Sequence, residues 1–384
     1  MKILITTDLF TVTTNGVVTS VRNLYDELTS HGHAVRILTL SNNRHSRREG
    51  DFYYIRSTSL GAVYPDVRMP TSFRHPMIQE LIDWRPDVIH SQCEFFTFQY
   101  ALRISRKTGA PIIHTYHTLY EQYFGYLLPS KKLGKQVVKV LSKKRLKKVE
   151  RVIAPTHKVE DALRSYGLDN PISVIPSGID LAQHKVRISA NTRKVSRRSL
   201  GIADDQLVLL NLGRLGTEKN LDELVRFFAK AREQHDNLIF LIVGGGPAKE
   251  SLEELVKELH MEQYVIFTGM VRPDKVQEYY QLGDIFVSAS TSETQGLTYI
   301  EAAANGLPLL CRDDPCLQDV LLPGENGYAY HSEDEFMEAI RVISTNPNWL
   351  KSASLRSQEI ADSFDKQNFG DSVEAVYDDV LTHA

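Results

Sequence analysis

Residues 207–234 read LVLLNLGRLGTEKNLDELVRFFAKAREQ. The stretch is a six-residue apolar run, a loop holding Gly213 and Gly216, and then a helical segment from Leu221 to about Gln234. A short apolar run without alternation suits a strand buried on both faces of a parallel sheet. A strand that passes through a glycine-bearing loop into a helix is the repeating unit of a doubly wound α/β domain.

The same unit recurs in both directions. Downstream come a strand at Leu238–Val243, a turn at Gly244–Pro247, a helix at Lys249–Leu259, and strands at Val265–Thr268, Ile285–Ser288 and Pro308–Cys311. Amphipathic helices are expected at Glu333–Ser344 and Asp371–Leu381. Upstream, Lys2–Thr6 is a strand, and Asp8–Asn15 a polar loop leading to Gly16. A helix at Val17–Thr29 and a strand at Ala34–Leu40 follow, with further strands at Phe52–Ile55, Val88–Ser91, Pro111–Thr115 and Arg151–Ala154. A helix near Phe96–Lys107 ends with Gly109. The pattern restarts after Val174–Ile179. The 384 residues therefore predict two doubly wound, Rossmann-like α/β domains, 1–178 and 179–363, with a helical tail of about 364–384. Ser196–Arg198 reads as a polar connection. Ligands of open parallel sheets bind beyond the C-terminal strand ends, so two such domains facing a cleft would bind between them.

Composition excludes several classes. The 42% apolar and 24% charged fractions are those of a globular protein, and no apolar run is long enough to span a bilayer. The start, MKILITTDLF, reads as a first strand and not a signal peptide. Cys93, Cys311 and Cys316 form no metal-like or disulfide framework, which suits free thiols in the cytoplasm. Residues 1–180 hold 25 Lys and Arg against 16 Asp and Glu, and the remainder holds 20 against 32. A basic half joined to an acidic half predicts an anionic partner for the first half.

The stretch 288–308, SASTSETQGLTYIEAAANGLP, carries the chemistry. Glu293 follows a strand, Gly296 lies near a helix start, and Glu301 lies on that helix. Eight residues separate the glutamates, about 12 Å if fully helical, so each should meet a different part of an extended ligand. Free amides and the helix dipole near Gly296 favour phosphate or hydroxyl oxygens. In the loop 211–220, NLGRLGTEKN, Gly213 lets backbone approach a ligand, and Arg214 with Lys219 can hold a diphosphate.

These two segments resemble the Glu-x7-Glu and Gly-Arg…Glu-Lys-Asn motifs of the retaining glycosyltransferases of family 4, which have the GT-B fold. The resemblance covers essentially the whole chain and is strongest from about Val174 to Gly327. It implies that Glu293 meets the donor hexose and Glu301 the ribose hydroxyls. It also implies that the backbone of Thr294, Gln295, Gly296 and Leu297 meets sugar and phosphate oxygens, while Arg214 and Lys219 stabilise the departing pyrophosphate. By the same resemblance Gly245 and the segment holding Val271 and Arg272 border the nucleotide, and Gly16 faces the donor phosphate. The proline often found before that glycine is absent, with Thr13 and Thr14 there instead. His117, in HTYHT, resembles the histidine near the transferring carbon, and His114 remains a candidate core residue. A GT-B ending, with the last helix crossing back to the first domain, is implied for the tail.

The implied reaction is hexosyl transfer with retention, by front-face substitution in which the leaving phosphate takes the acceptor proton. No Asp-x-Asp motif sits at a strand end, so neither an essential metal nor another cofactor is expected.

Residues 131–151, KKLGKQVVKVLSKKRLKKVER, hold ten basic residues and one acid. Leu133, Val137, Val140 and Leu141 share a helical face, while Val138, Leu146 and Val149 fall elsewhere. A basic amphipathic helix carrying Lys143, Lys144, Arg145, Lys147 and Lys148 fits an anionic membrane surface; its bland alternative is a core helix with a solvated face. Nucleic acid is not expected, because the acidic second half would be repelled by phosphate. Tyr120 and Glu121 lie among aromatics (Tyr116, Tyr123, Phe124, Tyr126) suited to an apolar acceptor channel. HTYHTLYEQY, the basic helix and ETQGLT together resemble bacterial diacylglycerol α-glucosyltransferases. That resemblance implies a UDP-glucose donor, a diacylglycerol acceptor, glycolipid or lipoteichoic acid anchor synthesis, and a peripheral position on the inner face of the cell membrane. Another donor (UDP-galactose or GDP-mannose), another acceptor, and a non-catalytic nucleotide-sugar binding protein remain open at the level of sequence.

Overall fold

The computed structural model describes residues 1–10, 16–43, 45–59, 68–119 and 131–383, with backbone only for 131–135. The chain forms two compact units, Met1–Gly178 with Lys366–Ala384, and Ile179–Asp365.

The first unit is built on β1 (Lys2–Thr7), β2 (Ala34–Ser41), β3 (Arg47–Glu49), β4 (Phe52–Ser59), β5 (Arg68–Pro70), β6 (Val88–Ser91), β7 (Ile112–Thr115), β8 (Arg151–Ala154) and β9 (Ile172–Val174). Their order is β3-β4-β2-β1-β6-β7-β8-β9, with β5 paired to β4. All pairings are parallel except those of the short edge strands β3 and β5. The main helices are α1 (Gly16–Ser30), α2 (Pro76–Trp84), α3 (Phe96–Thr108), α4 (Lys131–Leu146) and α5 (His157–Ser165). β1 and β6–β8 are buried almost throughout, as unalternating apolar runs require.

The second unit carries α6 (Leu181–His184), α7 (Ala190–Ser199), β10 (Leu207–Leu212), α8 (Leu221–Gln234), β11 (Leu238–Val243), α9 (Lys249–Glu258), β12 (Val265–Gly269), α10 (Val276–Tyr280), β13 (Ile285–Ser288), α11 (Leu297–Ala304), β14 (Leu309–Arg312), β15 (Gly327–Tyr330), α12 (Glu333–Thr345) and α13 (Pro347–Ala361). The sheet is wholly parallel in the order β12-β11-β10-β13-β14-β15. Counted within the unit this is 3-2-1-4-5-6, the dinucleotide-fold order, with its reversal between β10 and β13.

Helix α14 (Lys366–His383) belongs to the first unit. Its Phe369, Val373, Val376, Tyr377 and Val380 pack with Ile3, Ile5, Val21, Leu24 and Leu28. The tail thus returns to the first domain, and its helix begins five residues before the expected Asp371.

One sequence expectation changes. Ser196–Arg198 lies inside α7 and is no mere polar connection. Arg197 is buried there, its guanidinium donating to Leu282 O at 2.8 Å and Asp284 Oδ2 at 2.6 Å. Strand β9 ends at Val174, and Ile179 makes an isolated bridge to Asp365, where the second unit begins and ends. Helix α13 and strand β15 were not anticipated.

Candidate functional site

In the second unit the loops after β10 and β13 meet at the point where strand order reverses. They are stitched by side chain to backbone. Asn211 Nδ2 donates to Val287 O at 2.8 Å, Asn220 Nδ2 to Ala289 O at 3.2 Å, and Ser292 Oγ to Glu218 O at 3.3 Å. Lys219 Nζ then lies 2.5 Å from Glu293 Oε1. Arg214, nearly half exposed, pairs with Glu218 four residues on. The structure therefore brings three expected residues, Arg214, Lys219 and Glu293, to one strand-end surface, and adds Glu218, which the sequence reading passed over.

Gly296 precedes α11 with φ of 75°, a left-handed conformation that glycine adopts freely. A Cβ there would stand 2.4 Å from the Tyr299 ring. Tyr299 is fully buried, with its hydroxyl 3.1 Å from Ser288 Oγ at the end of β13. Gly296 thus rests on Tyr299, and Gln295 just before it is buried. Leu297 packs on the core at the first turn of α11. Glu301 lies one turn further along the helix than a ligand-facing first turn, where Tyr280 OH donates to its Oε2 at 2.6 Å. Burial pushes the Glu301 carboxyl up to about 7, against the opposing pull of the Tyr280 hydrogen bond.

The turn after β11 packs against the loop after β10. Leu215 N donates to Gly245 O at 2.9 Å, and Ala248 N to Leu215 O at 2.9 Å. A Cβ on Gly244 would fall 1.9 Å from Gly213 O, so that glycine serves a backbone-to-backbone contact. Gly245 faces the exposed Met270, and Val271 is partly buried. Arg272 is exposed and paired with Asp274 at 3.0 Å.

In the first unit the reversal lies between β1 and β6, and a polar cluster gathers there. Asp8 accepts from Phe96 N at 3.1 Å, and from Thr97 N and Thr97 Oγ1 at 2.6 Å each, capping α3. Burial raises its carboxyl despite those three donors. His117 Nε2 lies 2.6 Å from Gln92 Oε1, and His114 Nε2 lies 3.2 Å from Glu94 Oε1. His114 is fully buried, in keeping with its expected core place, whereas His117 is half-buried. Burial, with His114 nearby, pushes His117 down to about 3, so its imidazole is neutral at physiological pH. Gln92, Glu94 and Asp8 were missed by sequence reasoning. Their signal was position, directly after strands that end at the reversal. Gly16 opens α1 and is exposed. Asn15, Tyr120, Glu121, Tyr123, Phe124 and Tyr126 lie outside the described residues.

Helix α4 corrects the expected apolar stripe. Val138, Leu146 and Val149, taken as off-face, are the buried ones, whereas Val137, Val140 and Leu141 are exposed. Tertiary packing turned the helix so that the narrower apolar set meets the core. Lys144, Lys147 and Lys148 are exposed, Lys143 is partly covered, and Arg145 lies over the Phe95 ring at 5.4 Å. Among the described residues, no helix is long and apolar enough to cross a membrane.

Two Rossmann-type units, with acidic and basic side chains gathered beyond the strand ends of the second, define a glycosyltransferase of the GT-B class. The model for Glycosyltransferase Family 4 matches residues 14–183, and that for Glycosyl transferases group 1 matches residues 192–359. An alpha-monoglucosyldiacylglycerol synthase of Streptococcus pneumoniae is 34% identical over 99% of this chain and 86% of its own. One of Acholeplasma laidlawii is 30% identical over 99% and 98%. Among solved structures, Anabaena HepE in complex with UDP superposes with a TM-score of 0.78 at 16% identity, covering 99% of this chain and 100% of that one. Sucrose-phosphate synthase from Thermosynechococcus elongatus gives 0.78 at 20% identity, with full coverage of both. The chain belongs to glycosyltransferase family 4.

Proposed function

We propose that this glycosyltransferase moves a glucosyl group from UDP-glucose to the 3-hydroxyl of 1,2-diacylglycerol, with retention, at an anionic membrane surface. The observation that carries the donor half is the Lys219–Glu293 contact at the strand-order reversal of the second unit. It places a cation and a carboxylate together where an open α/β sheet takes its ligand. In this reading Arg214 and Lys219 leave their carboxylate partners for the diphosphate, and Glu293 then accepts hydrogen bonds from the hexose. Glu301 takes the ribose hydroxyls, and the backbone of Gly213, Gly245, Val271, Arg272 and Thr294–Leu297 borders the nucleotide. His117 meets a hydroxyl near the transferring carbon, and Gly16 lies by the donor phosphate.

Catalysis is electrostatic. Preorganised cations stabilise the negative charge developing on the leaving phosphate, which takes the acceptor proton. Fixed cations fill the place a divalent metal would take, so no metal or other cofactor is required and chelator leaves turnover unchanged. The acceptor half rests on the names of the two full-length relatives. It is supported by the exposed Val137, Val140 and Leu141 beside the exposed lysines of α4 and the turn after it, an arrangement suited to anionic lipid on the cytoplasmic leaflet. The product, α-monoglucosyldiacylglycerol, would serve glycolipid or lipoteichoic acid anchor synthesis.

The deciding experiment offers radiolabelled UDP- and GDP-hexoses to the full chain on mixed micelles of diacylglycerol and anionic lipid, and reads the anomeric configuration of the product. Label from UDP-glucose in an α-glucosyl lipid is expected. Transfer only from GDP-mannose, or only to a soluble acceptor, would refute this assignment.

A further inference from the structure

Both cations proposed for the diphosphate are held by carboxylates. Lys219 Nζ lies 2.5 Å from Glu293 Oε1, with the two side chains 22% and 20% exposed. Arg214 pairs with Glu218, whose side chain is 12% exposed. That carboxylate folds back over Gly216, where a Cβ would collide with it. The backbone that carries the two pairs is pinned. Ser292 Oγ donates to Glu218 O at 3.3 Å, and Lys219 N donates to Gly216 O at 3.0 Å. Asn220 takes a left-handed φ of 51° while its Nδ2 donates to Ala289 O at 3.2 Å. The ammonium and the Glu293 carboxylate therefore meet through a fixed frame.

The two carboxylates have different fates in the reaction proposed above. A diphosphate that draws Lys219 away deprives the largely covered Glu293 carboxylate of this ammonium, and a covered charge that loses its cation is costly. The hexose of an intact donor offsets that cost, because its hydroxyls donate to the carboxylate. A nucleoside diphosphate without a hexose cannot. Glu218 meets no part of the donor in this reading, so separating it from Arg214 costs the same with or without a hexose. We infer that the Lys219–Glu293 pair is a product-release device. It re-forms once the hexose has been transferred, withdraws the ammonium from UDP, and so makes the site prefer donor over product. This rests on the donor-site reading above. The selection works through an unfavourable consequence of binding the wrong ligand, not through an added attraction for the right one.

The test measures binding of UDP, UDP-glucose and uridine to the full chain by calorimetry, without acceptor. Glu293→Gln keeps the shape of the side chain and removes its charge. It should bind UDP ~10-fold tighter than wild type, a usual size for such coupling. UDP-glucose should gain no such factor, so the preference for donor over UDP should shrink. Uridine, which has no diphosphate, should bind wild type and Glu293→Gln alike. Glu218→Gln should tighten UDP and UDP-glucose by one common factor, and a change in their ratio would count against the inference. In a Lys219→Ala background Glu293→Gln should add nothing to UDP affinity, since no ammonium is left to reclaim. An equal gain in that background would mean simple repulsion between carboxylate and phosphate, and would overturn the inference. So would unchanged or weaker UDP binding in Glu293→Gln when Lys219→Ala itself weakens UDP. If Lys219→Ala left UDP binding at the wild-type level, the donor-site reading would be what failed.

Discussion

Lys219 Nζ sits 2.5 Å from Glu293 Oε1 and so bridges the loops that follow β10 and β13. Each side chain is about one-fifth exposed, so the pair is screened less than a surface ion pair. In the proposed cycle the ligand splits this pair, the diphosphate taking the ammonium and the hexose the carboxylate. Lys219→Ala should therefore lower turnover on the order of 10²–10³, as loss of one oxyanion donor does. Arg214→Ala should lose a similar factor. Steady-state kinetics with saturating donor checks this, and turnover within twofold of wild type for either variant would contradict the assignment.

Glu301 sets a pH dependence whose sign differs between ligand binding and stability. Its carboxyl is raised to about 7 from an ordinary 4.5. Below 7 it is largely protonated and a poorer acceptor for ribose hydroxyls, so affinity for nucleotide should rise from pH 6 to pH 8. Binding near pH 7 should release protons. In the ligand-free protein the protonated form is the favoured one. The stability this group contributes is complete below about pH 4.5 and lost as pH rises through 7. Tyr280→Phe removes a hydrogen bond that favours ionisation, so the binding midpoint should move to higher pH. Calorimetry in buffers of different ionisation enthalpy reads the proton release directly. Uridine, which has no phosphate to titrate, serves as the control ligand. A pH-independent affinity for uridine would be incompatible with this account.

The central strands of both units were legible because they are buried on both faces, and unbroken apolar runs such as Leu238–Val243 admit few other readings. The Glu293 loop was legible because glycine and carboxylates occupy fixed offsets from a strand end. What escaped was set by contacts distant in sequence. Arg197 looks like a solvated charge until Asp284 and the Leu282 carbonyl, more than 80 residues on, are folded beneath it. Tyr280 has no motif around it, and only packing brings its hydroxyl to Glu301. Helix α4 shows the same limit from the other side. Its periodicity pointed to the face of Val137, Val140 and Leu141, and the core instead took Val138 and Leu146, on the Tyr116 side of the sheet, where Ser142 reaches the Tyr116 hydroxyl at 3.3 Å.

That choice gives a prediction that separates membrane binding from folding. Val140 is 62% exposed and Leu141 is 42% exposed, so Val140→Glu and Leu141→Glu should leave the melting temperature nearly unchanged. Each should weaken association with vesicles of anionic lipid by ~10-fold, through lost apolar burial and added repulsion. Wild-type binding should also weaken as salt is raised. Leu146→Ala should do the reverse, costing about 2–5 kcal/mol of stability with no direct effect on lipid. Vesicle co-sedimentation beside thermal unfolding distinguishes the two outcomes. Equal binding by the glutamate variants would remove α4 from the membrane surface.

The returning helix α14 completes the first unit, and one hydrogen bond shows how closely. Tyr377 OH lies 2.6 Å from His90 Nδ1, and His90 Nε2 lies 2.7 Å from Thr115 Oγ1, all within the buried interior. Both ring nitrogens are thus matched, and burial depresses the histidine well below its ordinary value of 6.5. Tyr377→Phe keeps the apolar packing but orphans one buried nitrogen, for a cost of about 1–3 kcal/mol. The depressed histidine makes the unit acid-sensitive. The unfolded chain takes up a proton near pH 6.5 and the folded one does not, so the stability His90 contributes is complete above that pH. It is lost as pH falls, at about 1.4 kcal/mol per pH unit. His117 should act in the same direction. Urea unfolding between pH 5 and 8, followed by a probe in the first unit, should show this slope. His90→Phe should flatten it, and an unchanged slope would place the acid sensitivity elsewhere.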